Sequence, residues 1–219
     1  MRRFPLLFGV MAMAAAMQAQ DIDRALSLVK GRLDSISRFE VTLQMEVDIQ
    51  HVNMPVKTAE LLYEQGNSVL IRSDDFVMIP KKGLDFGLGE LYRYPFMTLN
   101  LGTVSYRGRS CELIKVIPTT DASDYSIATL WLDRQRLRML KSQISTKKNG
   151  TFDITYEYAA PSDVLPSAIT VHFQVSDIRI PLRFLGREAQ VDKGQLKEDP
   201  GQKGAIRLLF TNYRVTRLP

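Results

Sequence analysis

Cysteine is nearly absent from this sequence. Its 219 residues contain one, Cys111, together with two histidines, His51 and His172. One thiol excludes an internal disulfide, even in an oxidising compartment. Neither histidine stands in a His-Glu-x-x-His or Cys-x-x-Cys spacing, so no zinc centre is expected. No serine lies in Gly-x-Ser-x-Gly. Gly87-x-Gly89 lacks a third glycine and a strand–turn–helix setting, so it is no dinucleotide loop. Asp74 and Asp75 adjoin each other without the further oxygen ligands that a cation needs. The remaining acidic residues are spread along polar positions. Nothing gathers reactive groups, so neither an enzyme nor a cofactor is expected.

A dominant charge is missing too. The chain has 29 basic and 24 acidic residues, a formal net charge of +5. These charges are scattered rather than blocked, which argues against a nucleic-acid partner. Long apolar runs are confined to the start. "MRRFPLLFGVMAMAAAMQAQ" places Arg2 and Arg3 before a short apolar stretch and then small residues. Residues 1–20 therefore read as a secretory signal peptide, with an apolar core too short to span a bilayer. Cleavage after Ala16, Ala19 or Gln20 fits equally well. Without Arg2 and Arg3 the balance is 27 basic against 24 acidic residues. Residues 21–219 are expected to form one soluble exported domain, large enough for a sizeable core. Cys111 lies far from the cleavage region, so it is no lipid-bearing N-terminal cysteine. It reads as a small buried hydrophobe on a strand.

What the sequence does have is alternation. In "FEVTLQMEVDIQ" the apolar residues Phe39, Val41, Leu43, Met45, Val47 and Ile49 alternate with Glu40, Thr42, Gln44, Glu46, Asp48 and Gln50. The period of two predicts a strand with one apolar face. Before it, Ile22, Leu26, Val29, Leu33 and Ile36 recur at helical spacing, and Asp21 or Asp23 can cap the helix. After it, Val52 to Pro55 read as a turn leading to a hairpin partner, "VKTAELLYEQG". Further strands follow around Arg107-Gly108, Asp133 to Gln135 and Asn149-Gly150, each a turn signal. "AITVHFQV" and "AIRLLFTNYRV" supply the last two strands, separated by a polar stretch over 186–204.

One segment breaks the pattern. "KKGLDFGLGELYRYPFMTLNLG" is apolar at Leu84, Phe86, Leu88, Leu91, Phe96, Met97, Leu99 and Leu101, yet interrupted by Gly83, Gly87, Gly89 and Pro95. Short helical turns on a loop are expected, laid as a lid over the apolar sheet face. Such a half-polar antiparallel sheet curls its apolar face around a core or a greasy ligand. Trp131 and Tyr156 are candidates to line that interior.

This order of elements resembles the LolA/LolB family of periplasmic lipoprotein carriers and its sensor relative RseB. The resemblance rests on the helix, the strand "FEVTLQMEVDIQ", "AELLYEQGNSVLIRSD", and above all the run from "YRGRSCELIKVIPTT" through "TLWLDRQRLRMLKSQISTKKNGTFDITYEY". It implies a mainly β (α+β) fold: a curled antiparallel sheet forming an incomplete barrel, with a helical and loop lid over an apolar cavity. It further implies a periplasmic monomer that binds acylated lipoprotein or other lipid, passed from an inner-membrane donor to an outer-membrane acceptor. A non-transporting sensor or interaction module of the same fold is the alternative. The best-known carriers bear an Arg-Pro pair after the second strand. This chain has Glu64-Gln65-Gly66-Asn67 there.

Overall fold

The computed structural model describes residues 22–50, 52–66, 69–73, 88–148, 150–174, 190–191 and 203–218. The chain opens with helix α1 (Arg24–Asp34) and continues directly into strand β1 (Ile36–Ile49). Asp23 caps α1, its carboxylate accepting from the backbone N–H of Ala25 at 2.7 Å and of Leu26 at 3.4 Å. This satisfies donors that have no partner inside the helix. The helical stripe stops one element short of the expected position, because Ile36 is already the first residue of β1. Leu26 and Val29 are buried, while Ile22 and Leu33 pack half-buried beside them.

Strand β1 carries the alternation that its sequence predicts. Phe39, Val41 and Leu43 are buried, and the residues between them are more exposed. It pairs antiparallel with β3 (Lys57–Glu64) on one side. On the other it pairs with the last strand, β12 (Lys203–Arg217), setting Leu43 opposite Phe210. The turn expected at Val52 to Pro55 comes earlier, since β2 (Val52–Asn53) already pairs back onto Ile49. Strand β4 (Leu70–Arg72) extends β3 outward. Next come a single turn of helix, α2 (Gly89–Tyr92), and strands β5 (Phe96–Tyr106), β6 (Arg109–Pro118), β7 (Tyr125–Asp133), β8 (Arg138–Thr146), β9 (Thr151–Glu157) and β10 (Ala168–Gln174). Strand β11 (Gln190–Val191) pairs with β2.

The hairpin between β5 and β6 turns through Arg107 (φ 50°) and Gly108 (φ 72°). Two successive positive φ angles match the twist of the flanking strands, and glycine takes that conformation without strain. The sheet runs β11–β2–β1–β12–β10–β9–β8–β7–β6–β5, a curled antiparallel sheet that, among the described residues, does not close into a barrel.

Phe96, Met97, Leu99 and Leu101, expected on an irregular lid, lie instead on the regular strand β5. Phe96 is buried, whereas Met97, Leu99 and Leu101 point to the opposite face and are exposed. The physical reason is that Thr98 and Asn100 take the inward positions. Thr98 accepts from the backbone N–H of Asp23 at 2.7 Å, and the Asn100 amide donates to the Asp23 carboxylate at 3.0 Å. Leu84 and Phe86 lie outside the described residues, as do His51, Asp74 and Asp75.

Candidate functional site

The strand registers place one apolar row straight across the sheet. Ile114, Leu130, Ser142, Ile154, Val171, Ile206 and Val47 stand opposite one another on successive strands from β6 to β1. The neighbouring row sets Tyr156 beside Ile169, Leu208 and Met45. No charged side chain interrupts either row. Side chains at paired positions share a face, so these rows form one concave apolar surface.

That surface has two parts. Over β6 and β7, the side chains of Ile114, Val116, Ala128, Leu130 and Leu132 are fully buried. Leu26 and Val29 of α1 and Leu91 of α2 join them in a continuous core. Farther along, Met45, Ile144, Ile154, Val171 and Ile206 are only half-buried at the margin of that core. A strip of apolar surface therefore continues beyond the cover that α1 provides. Under Val29 and Leu33, a cleft of about 10 Å³ is lined also by Met139, Tyr156, Tyr158, Val164 and Arg138. That is room for about one water molecule.

Of the residues singled out from the sequence, Phe39, Val41 and Leu43 lie in the core, and Met45 packs against it. Val47 ends the long row half-buried, and Ile49 is buried beyond it near Phe173. Tyr156 is buried in the core, with its hydroxyl 3.3 Å from that of Ser142. Trp131 does not join them. It pairs with Leu113 and Lys141, and the Lys141 ammonium lies 4.9 Å from the centre of its ring. Leu130, next to it, faces the core, so Trp131 faces the other side of the sheet. Leu88, Leu91 and Phe96 are core residues, while Met97 and Leu99 turn away.

Polar groups rim the cleft. Tyr158 donates to the carbonyl of Met139 at 2.8 Å, and Tyr213 donates to that of Pro166 at 2.8 Å. Burial, with Tyr156 next to it, holds the Tyr158 hydroxyl far above its ordinary range. Tyr125 donates to the carbonyl of Leu91 at 3.2 Å, tying α2 to the sheet, and burial pushes its pKa up to about 12. Arg138 is buried, donates to the carbonyl of Ala160 at 3.1 Å and stacks 4.3 Å from the Tyr158 ring centre. Burial is the chief cause that lowers its pKa, with Arg109 adding to it. Cys111 is a buried free thiol raised mainly by burial and then by Asp133. Among the described residues, no group of three or more His, Cys, Asp or Glu is placed to hold a metal.

Sequence reasoning missed the polar rim. Its one signal was the cluster of arginines in "DRQRLR", which reads as an ordinary charged turn. Leu137 takes a positive φ of 47° there, and the Asp133 carboxylate accepts from the N–H of Arg136 at 3.1 Å. That local turn folds Arg138 back toward the interior.

No family model matches this sequence, and no curated protein matches it. Solved structures do match the fold. A DUF1329 family protein from Desulfovibrio piger superposes with a TM-score of 0.56 at 10% identity, covering 90% of this chain and 94% of that one. A LolA superfamily protein from Nitrosomonas europaea gives 0.51 at 11% identity, covering 89% and 94%. The chain has a LolA-like fold. Among the described residues, no helix is long and apolar enough to cross a membrane.

Proposed function

We propose that this protein is a periplasmic carrier that shields acyl chains of lipoproteins or other lipids on the concave face of its sheet. The observation that carries the reading is the half-buried strip of Met45, Ile144, Ile154, Val171 and Ile206, which continues the core without a charged residue. The LolA-like fold supports it at the level of architecture. The roles of Leu84 and Phe86 as lid residues belong to this proposal, as do export through residues 1–20 and transfer between an inner-membrane donor and an outer-membrane acceptor.

The energetics favour exchange of cover for ligand. Helix α1 contributes two large buried side chains, Leu26 and Val29, to the core. Exposing each costs roughly 1.5–3 kcal/mol. A sixteen-carbon chain leaving water gains on the order of 12 kcal/mol at about 0.8 per methylene. An entering chain thus outweighs the exposure of these two side chains about two- to four-fold.

A second reading is a sensor or interaction module of the same fold. It is favoured by the interior beneath α1, which side chains fill down to a cleft of about 10 Å³. One experiment separates the two. Protein purified from its native periplasm is extracted with organic solvent, and the extract is analysed by mass spectrometry. The carrier reading expects acyl lipid in stoichiometric amount. A lipid-free protein that co-purifies with a membrane protein overturns it in favour of the module.

A further inference from the structure

The cleft under α1 is apolar on its walls, yet a poorly compensated cation lines it. Arg138 is only 3% exposed. One of its nitrogens donates to the carbonyl of Ala160, but its Nε has no hydrogen-bond partner. The nearest carboxylate oxygen, Oδ2 of Asp133, is 3.9 Å from that Nε and is itself buried without a partner. This oxygen also faces Arg109 at 3.9 Å and Arg136 at 3.5 Å, again beyond hydrogen-bond reach. One carboxylate thus stands among three guanidiniums and completes a hydrogen bond with none of them. Arg32 adds a fourth cation, donating to the carbonyls of Arg136 and Ser162. Asp163 adds a second carboxylate, which is occupied by the N–H of Ala160. The balance of these named groups is two positive charges beside an apolar wall.

A fully structural ion pair would close its hydrogen bonds, because buried charge is costly unless paired and satisfied. Here Nε of Arg138, on a side chain that lines the cleft, is left without one. A guanidinium with open N–H groups is built to take a carboxylate or phosphate. The geometry also suits a chain attached to that head. Along β9, Phe152, Ile154 and Tyr156 share the concave face, and Tyr158 follows at the Arg138 end. From Phe152 to Tyr158 is about 20 Å of extended strand.

We propose that, when α1 lifts, the site opened at the cleft takes a single-chain amphiphile with an anionic head, the head on Arg138 and the chain along β9 over Ile154 and Val171. This rests on the carrier reading and names its ligand class. Its polarity follows from the site: the charged end binds beneath the C-terminal half of α1, and the tail leaves over the half-open strip.

The test is displacement of a neutral environment-sensitive dye, N-phenyl-1-naphthylamine, from the full mature chain. Competitors are laurate, dodecyl phosphate and the uncharged monolaurin. We expect both anions to compete at least about ten-fold better than monolaurin, which is about 1.4 kcal/mol. Whichever anion competes at the lower concentration identifies the head group as carboxylate or phosphate. In Arg138→Gln the anions should fall to the level of monolaurin. Should that variant fail to fold by circular dichroism, Arg136→Gln at the rim should still shrink the anion preference several-fold. Equal competition by laurate and monolaurin in the wild type overturns the head-group site and leaves the carrier reading standing. An unchanged anion preference in both variants also overturns it. If dye binds but no competitor displaces it, or if no dye binds, the carrier reading falls as well.

Discussion

Arg32, on the last turn of α1, donates from Nη2 to the carbonyl of Ser162 at 2.7 Å, across 130 positions of sequence. Its Nη1 donates to the carbonyl of Arg136. One side chain thus fastens the end of the helix to two separate loops. At the other end, Asp23 fastens it to Thr98 and Asn100 of β5. The cover over the concave face is held at both ends by polar contacts and in the middle by Leu26 and Val29.

Releasing one end should therefore loosen the cover without unfolding the sheet. Arg32→Ala is expected to lower stability by about 1.5–3 kcal/mol, the range for hydrogen bonds to a charged group. Amide exchange should quicken across Arg24–Asp34 and stay slow in β6 and β7. A neutral acyl probe should bind faster. Exchange that speeds up equally in the helix and in the central strands would mean that α1 is an integral part of the fold and not a cover.

The alternation in β1 makes a sharper demand. Leu43 is fully buried opposite Phe210, while Gln44 beside it is half-exposed on the other face. Leu43→Glu buries a carboxylate with no implied partner, a cost of several kcal/mol. Gln44→Glu should stay within about 0.5 kcal/mol, as surface changes usually do. Chemical denaturation of the two variants checks this, and equal losses would contradict the register.

Where the sequence was legible, one face of a strand was apolar and the other polar. Strand β1 is such a case, and its alternation led directly to the concave surface. Strand β7 is not. Its Ile127 and Trp131 are apolar on one face, and its Ala128, Leu130 and Leu132 on the other. Period alone does not say which face is inside, and Trp131 lies on the side away from Leu130. Strand β5 inverts the usual pattern. Thr98 and Asn100 face α1, where Asp23 needs hydrogen-bond partners, and Met97, Leu99 and Leu101 face outward. A reader of hydrophobicity therefore sees an oily irregular segment where a regular strand exists. The Arg138 cluster was illegible for a different reason. Its meaning depends on burial, and a buried arginine and a surface one are written with the same letter.

Gly204 begins the inner face of β12 opposite Phe173. A Cβ added there would lie 2.8 Å from Cε2 of Phe173 and 3.0 Å from Cγ1 of Ile49. The ring occupies the space that a side chain would need. Gly204→Ala should cost about 1–3 kcal/mol through overpacking. Combining it with Phe173→Leu should recover part of that loss, because the clash is with the ring. A double variant no more stable than expected from adding the two single losses would show that the contact with Ile49, and not the ring, is the cause.

The buried tyrosines set an alkaline limit on the fold. The ordinary hydroxyl pKa is 10.0, and burial pushes both Tyr92 and Tyr125 up to about 12, with Asp34 adding to the rise at Tyr92. The unfolded chain releases these protons first, so above pH 10 it binds fewer protons than the folded chain. Stability then falls as pH rises. The contribution is complete below about pH 10 and is lost progressively toward about pH 12. Tyr158 and Tyr213 are raised further and act in the same direction. Denaturant midpoints should therefore fall steeply above pH 10, and tyrosinate absorbance should rise together with loss of far-ultraviolet circular dichroism. Tyr125→Phe should lessen the slope, since it removes one such group along with its bond to Leu91. Tyrosinate forming well before any structural loss would show that these hydroxyls reach solvent in the folded protein.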